Sequence, residues 1–220
     1  MIRGVVFDLW NTLATWPEDE SQEFRRRWSR KIGIDPEELD AVWYAPGAYE
    51  KRESGPIATA LASVHAVFGV DLDVSEVLEW RLEMARRTLT PDSGVVPTLV
   101  ELRRREIAIG LISNCTEDVA LVWTESPFAE LMDVAVFSAT AAYMKPDRRI
   151  YELAMAELGR EAAECLFVGD GANDELEGAR NVGMTPVLFQ DGGLEPRWPA
   201  LEDWGGLRVT EIPQVLDLVP

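Results

Sequence analysis

The chain has 220 residues, 47% hydrophobic and 27% charged, an ordinary composition for one or two globular domains that excludes a disordered or fibrous chain. Twenty-one Lys and Arg against 39 Asp and Glu leave a formal net charge of −18, and so acidic a surface repels nucleic-acid phosphates and anionic lipid headgroups. Two cysteines, Cys115 and Cys165, cannot build a disulfide framework, and one histidine, His65, excludes an H-E-x-x-H zinc site.

Residues 3–9 read as a short buried strand that ends at a polar turn, Asn11-Thr12. From about Trp16 to Thr90 no strand is predicted. Helical spacing recurs instead in Phe24/Trp28/Ile32, Ile57/Leu61/Val64/Phe68 and Val74/Val77/Leu78/Leu82/Ala85. Asp35-Pro36, Ala45-Pro46-Gly47, Gly55-Pro56 and Gly69 punctuate these stretches. After Pro91 the pattern changes. Val95/Leu99/Leu102 fit a helix, and the apolar run 107–112 fits a strand buried on both faces. A helix near 117–126, a strand at 134–138, a helix through Ile150/Leu153/Ala154/Leu158 and a strand at 165–169 follow. Then come a helix at 174–182, a strand at 185–189, a Gly/Pro-rich loop at 190–206, a strand near 207–210 and a short helix.

Strands alternating with helices at this spacing predict an α/β fold, a doubly wound parallel sheet. Residues 1–15 and 91–220 form its core, and 16–90, about 75 residues, form an inserted all-helical unit. An insertion directly after the first strand overhangs the carboxyl end of the sheet, where such folds bind ligands. A lid is its expected role. The N-terminus reaches Asp8 too soon for a signal-peptide core, and no later run is apolar enough to span a bilayer. A cytoplasmic protein with reduced thiols is expected.

Four segments each fall just past a predicted strand: Asp8 to Leu13, Ser113-Asn114, Lys145-Pro146 and Gly169 to Asp174. A parallel sheet brings them to one rim. Asp8, Asp170 and Asp174 would then crowd together, and at 4 Å with an effective dielectric of 20 each like-charge pair costs about 4 kcal/mol. Such a cluster calls for a cation, and an all-oxygen donor set suits Mg²⁺, which keeps waters and takes a substrate phosphate as well. Lys145 adds positive charge, Ser113 and Asn114 add short polar groups for the substrate, and main-chain N–H groups after Asp8 can face an anion. Asp8 is the natural nucleophile toward phosphorus, forming an aspartyl-phosphate, with Lys145 and Ser113 stabilising the charge that spreads over the phosphoryl oxygens.

These motifs resemble those of the haloacid dehalogenase (HAD) superfamily of aspartate-nucleophile hydrolases, over essentially the whole chain. Asp8 matches the nucleophile of the first motif, Ser113 the second, Lys145 the third, and Asp170 with Asp174 the acidic fourth. The resemblance implies a C1-type helical cap over a HAD-like Rossmannoid core. It also implies metal ligation by Asp8, Asp170 and the main-chain carbonyl of Trp10, with Asp174 supporting from behind.

One position departs from the pattern. Phosphatases of that family carry a second aspartate two residues after the nucleophile, which protonates the leaving oxygen and activates water; here the residue is Trp10. An indole N–H donates a hydrogen bond but does not give up its proton at neutral pH. The first reading is therefore a Mg²⁺-dependent phosphatase of a small phosphorylated metabolite that acts where no strong acid is needed, on acyl phosphates, activated esters or substrates that bring their own proton donor. A second is a 2-haloacid dehalogenase, whose members resemble this chain in placing an aromatic residue there: halide leaves unprotonated and Asp8 would attack carbon without metal. The acidic fourth motif opposes it. A third is a phospho-ligand binding or regulatory protein with little turnover. The expected partner in each is a small molecule, with no nucleic acid and no membrane; the sequence leaves the oligomeric state open.

Plainer roles are expected elsewhere. Arg25, Arg26, Arg27, Arg30 and Lys31 read as a solvated face, with one inward-pointing arginine as the alternative. His65 is expected between helices of the insert, and Cys115 as a small buried filler.

Overall fold

The computed structural model describes residues 1–193 and 197–220; residues 194–196 of the 190–206 loop lie outside the described residues. Six strands make one sheet: β1 (Gly4–Phe7), β2 (Ala108–Ser113), β3 (Val134–Phe137), β4 (Cys165–Gly169), β5 (Thr185–Phe189) and β6 (Leu207–Val209). Their order is β3-β2-β1-β4-β5-β6, parallel throughout. The chain runs outward from β1 in one direction and then, from β4, in the other, so β1 and β4 flank the switch point where such sheets bind ligands.

Side-chain alternation explains the layers. Val5 and Phe7 of β1 join one apolar cluster with Ile109, Leu111, Leu166 and Val168, while Val6 joins the opposite one with Ile112, Cys165 and Phe167. The central strands β1, β2 and β4 are apolar on both faces because helices cover both.

Between β1 and β2 the chain forms α1 (Glu18–Ile32), α2 (Pro36–Trp43), α3 (Ala48–Glu53), α4 (Ile57–Val67) and α5 (Ser75–Thr88), then α6 (Val95–Arg104), whose Val95, Leu99 and Leu102 pack on the sheet. The periodic stretches become α1, α4 and α5. The two shorter helices, α2 and α3, sit between the proline and glycine breaks, where too few turns exist for a period to be read. The insert has its own apolar cluster around Trp28, Leu39, Ile57 and Leu61. There the Trp28 indole donates to His65 Nε2 at 3.0 Å and packs edge-on to Trp43, as expected for His65.

The remaining helices are α7 (Glu117–Val122), α8 (Ser138–Ala141), α9 (Arg148–Leu158) and α10 (Glu175–Asn181). Asp147 caps α9 by accepting from the Arg149 N–H at 2.9 Å. The short helix expected at the C-terminus is a run of tighter 3₁₀ turns over Ile212–Leu218. Among the described residues no helix is long and apolar enough to cross a membrane.

Candidate active site at the carboxyl edge of the sheet

β1 ends at Phe7, and the Asp8 N–H still bonds to the Val168 carbonyl at 2.8 Å, so its side chain emerges at the β1/β4 switch point. A tight turn over Leu9–Ala14 follows, with the Leu13 and Ala14 N–H groups both bonded to the Leu9 carbonyl. That turn brings Thr12 back to donate to Asp8 Oδ2 at 3.2 Å.

Lys145 Nζ lies 2.5 Å from Asp8 Oδ1 and 2.5 Å from Glu175 Oε2. All three groups are buried. Burial alone would favour the neutral amine, but the charges of Asp8 and Glu175 outweigh it and hold the ammonium on. Asn114 sets the lysine's position. Its Nδ2 donates to the Lys145 carbonyl at 3.0 Å and its Oδ1 accepts the Lys145 N–H at 2.8 Å. The Asn114 amide is thus bonded to the main chain of Lys145 through one N–H and its oxygen. Ser113, fully buried, ends β2 on the same edge.

The acidic loop after β4 holds the main departure from expectation. Asp170 is buried at the edge, but Asp174 is exposed, on a groove it shares with Tyr49, Tyr143 and Asn173. Glu175 takes the buried place instead: Asp8, Asp170 and Glu175 bring carboxylate oxygens within 4.8 Å of one another. Helix register is the reason. Glu175, Leu176 and Ala179 are the buried face of α10, while Asp174, in a left-handed conformation at φ 55°, precedes its first turn. The four-residue spacing from Glu175 to Ala179 was the available signal. Gly169 makes room for the carboxylate, since a Cβ there would stand 2.2 Å from Glu175 Oε1. The Gly171 N–H donates to that same oxygen at 2.9 Å.

Three buried carboxylates thus face one ammonium. Burial and then Asp8 push the Asp170 carboxyl up to about 6, partly offset by the Ala172 N–H and Lys145. Burial pushes Glu175 up as well, against the pull of Lys145. Asp170 Oδ1 accepts from the Ala172 N–H at 2.9 Å, but its Oδ2 is buried without a hydrogen-bond partner among the described residues. Arg197 Nε, on an exposed side chain, stands 3.8 Å from that oxygen, and a carboxylate oxygen without a hydrogen bond beside two further carboxylates is a donor set that fits a hard divalent cation.

Next to this group lies a cavity of about 50 Å³ between insert and sheet. The core supplies Trp10, Cys115 and Thr116, the residues just past Asp8 and Ser113; the insert supplies Trp43, Arg52, Glu53 and Arg81. The Trp10 indole N–H is buried without a hydrogen-bond partner among the described residues. Arg81 ties the insert to the core by donating to Thr116 Oγ1 at 2.7 Å and pairing with Asp118 at 2.9 Å. The basic run of α1 does not line this cavity: Arg25 is buried but pairs with Asp40 at 2.7 Å, and Arg26, Arg27, Arg30 and Lys31 are exposed. Cys115 is the expected filler, its thiol raised by burial.

A model of the haloacid dehalogenase-like hydrolase family matches residues 2–183. Ribulose-1,5-bisphosphate 5-phosphatase from Halopiger xanaduensis is 27% identical over 206 residues, covering 86% of this chain and 85% of its own. The (S)-2-haloacid dehalogenase of Pseudomonas sp. strain YL is 28% identical over 220 residues, 90% of this chain and 89% of its own. Among solved structures, the 2-haloacid dehalogenase of Pseudomonas syringae pv. Tomato DC3000 shares the fold with a TM-score of 0.74 at 21% identity, over 99% of this chain and 98% of its own.

Proposed function

The chain belongs to the haloacid dehalogenase-like hydrolases, and from that premise we propose that it is a Mg²⁺-dependent phosphatase of a small phosphorylated metabolite, with Asp8 as nucleophile. The observation that carries this reading is the crowding of buried carboxylate: Asp170 and Glu175 stand with Asp8 around the Lys145 ammonium, and Asp170 Oδ2 has no hydrogen-bond partner among the described residues, with only the exposed Arg197 guanidinium at 3.8 Å beside it. Attack on carbon has no use for that crowding, whereas a phosphoryl group delivered with a divalent cation does.

Asp8, Asp170 and Glu175 would hold the ion, together with the Trp10 carbonyl that the family resemblance implies. When bound, Mg²⁺ supplies Lewis-acid polarisation of the phosphoryl oxygens. The protein's own groups do the rest. An Asp8 carboxylate oxygen attacks phosphorus as the leaving group departs on the opposite side. Lys145, with its main chain locked by Asn114, and the Ser113 hydroxyl stabilise the negative charge on the transferring group. Water then attacks phosphorus and releases Asp8. The insert acts as the cap that shapes the pocket and excludes water during transfer, and the two buried thiols, Cys115 and Cys165, suit a reducing, cytoplasmic setting.

Trp10 favours one second reading, a 2-haloacid dehalogenase, because a halide leaves without the proton that an indole cannot give. A substrate panel separates the two. With Mg²⁺, phosphate release from acetyl phosphate, p-nitrophenyl phosphate or simple phosphomonoesters is expected, and EDTA should abolish it. Asp8→Asn should lower turnover at least about 10⁴-fold. Chloride release from 2-chloropropionate that persists in EDTA would replace the phosphatase reading with the dehalogenase one.

A further inference from the structure

We infer that Glu53, carried on α3 of the insert, protonates the leaving group and so fills the role left vacant at position 10; this rests on the phosphatase reading. An in-line transfer sends the leaving oxygen away from Asp8. The cavity is lined from the core by Trp10, two residues after Asp8, and by Cys115 and Thr116, two and three residues after Ser113, and Glu53 lines it from the insert.

Two acids face this cavity, and they are held differently. Asp118 is locked to Arg81 at 2.9 Å. Among the described residues Glu53 pairs with Arg52 Nε at a longer 3.5 Å, while Arg52 Nη1 donates to the Trp43 carbonyl at 2.7 Å. The backbone of Glu53 is nevertheless pinned to the core. Ser138 Oγ donates to the Glu53 carbonyl at 2.5 Å and accepts the Cys115 N–H at 3.0 Å. One turn earlier on the same face of α3, the Tyr49 hydroxyl accepts from Asn173 Nδ2 of the acidic loop at 3.2 Å. Face 49/53 of α3 therefore stands over the sheet edge.

The charged and titratable groups around Glu53 are Arg52, Tyr49, Arg81, Asp118 and Cys115. Burial pushes the Glu53 carboxyl up to about 7; Arg52 and Arg81 pull it back and Asp118 adds to it. A carboxyl in that range holds its proton at neutral pH and can take one back, which suits an acid that turns base. In the first half-reaction the Asp8–phosphorus bond forms and the phosphorus–oxygen bond to the leaving group breaks. The leaving oxygen keeps the electron pair and receives the Glu53 proton. In the second, the Glu53 carboxylate takes a proton from the water that attacks phosphorus, and Asp8 departs as carboxylate. The protein is regenerated and one water is consumed.

The test compares acetyl phosphate, whose leaving group departs without a proton, with an alkyl phosphomonoester, whose leaving group does not. Both are assayed with Mg²⁺ across pH. Glu53→Gln should lower the single-turnover rate of alcohol release from the alkyl ester by at least about 10²-fold and that of acetate release from acetyl phosphate by less than about threefold. The fall of wild-type alkyl-ester turnover above about pH 7 should vanish in the variant. Equal loss on both substrates, or loss on neither, overturns the inference. If the variant does not fold, wild-type profiles decide: a basic limb on the alkyl ester alone supports Glu53, and parallel profiles overturn it. Failure of wild type to turn over either substrate removes the phosphatase reading itself, a distinct outcome.

Discussion

At the sheet edge, Lys145 meets two carboxylates at 2.5 Å and has its main chain clamped by Asn114. Across from it, in the cavity under the insert, Arg81 Nε and Trp10 Nε1 are buried without hydrogen-bond partners among the described residues, and Glu53 stands 3.5 Å from Arg52 Nε. Satisfied buried networks are rigid, whereas each unmet buried donor costs about 1–3 kcal/mol. The lysine network of the edge is thus organised before any ligand arrives, with Asp170 Oδ2 beside it still without a hydrogen bond among the described residues, while the cavity keeps polar donors that a substrate can complete. Under the proposed function, nucleophile and proton donor would occupy these two differently built regions of one site.

The largest test of that contrast is Lys145→Met. It leaves Asp8 and Glu175 buried without their cation and should cost about 3–5 kcal/mol in urea unfolding at neutral pH. A cost below about 1 kcal/mol would show that the edge is not the interlocked network described.

Glu53 probes the cavity. Its carboxyl lies at about 7 in the fold against 4.5 in the reference state, so the folded chain binds the proton more tightly. The resulting stability is fully present below about pH 4.5 and is lost as pH rises through about 7. Glu53→Gln should therefore match wild type near pH 4 and be more stable at pH 8, by up to about 3 kcal/mol. Melting curves that stay parallel across that range would mean the carboxyl is paired after all.

The smallest effects sharpen the boundary of the edge network. Glu175→Gln should lower turnover about 10–100-fold. Asp174→Asn, at an exposed position, should change it by less than about twofold. Reversal of that order would put the working acid at 174.

Much of the architecture is legible without coordinates. The strand runs at 107–112 and 165–169 are apolar on both faces, which only a two-sided helical cover satisfies, and Asp8, Ser113 and Lys145 each follow or approach a strand end in a way that a parallel sheet turns into proximity. Legibility fails at single-residue precision. The acidic loop offers Asp174 and Glu175 side by side, and composition does not choose between them; the start of α10 does, by turning 175 inward with Ala179. It fails again in α3, six residues between breaks, too short for a period yet the carrier of Tyr49 and Glu53.

What the amino-acid sequence determined by itself is what local periodicity and strand-end chemistry encode: a parallel α/β core, a helical insertion after β1, and a rim of acids, serine and lysine. Which carboxylates meet, which amide locks Lys145, and which acid of the insert faces Trp10 were decided only by the tertiary structure. The Lys145 contacts join residues 30 to 137 positions apart, and all of these distances depend on helix register and on how the insert docks, neither of which any local stretch of chain specifies.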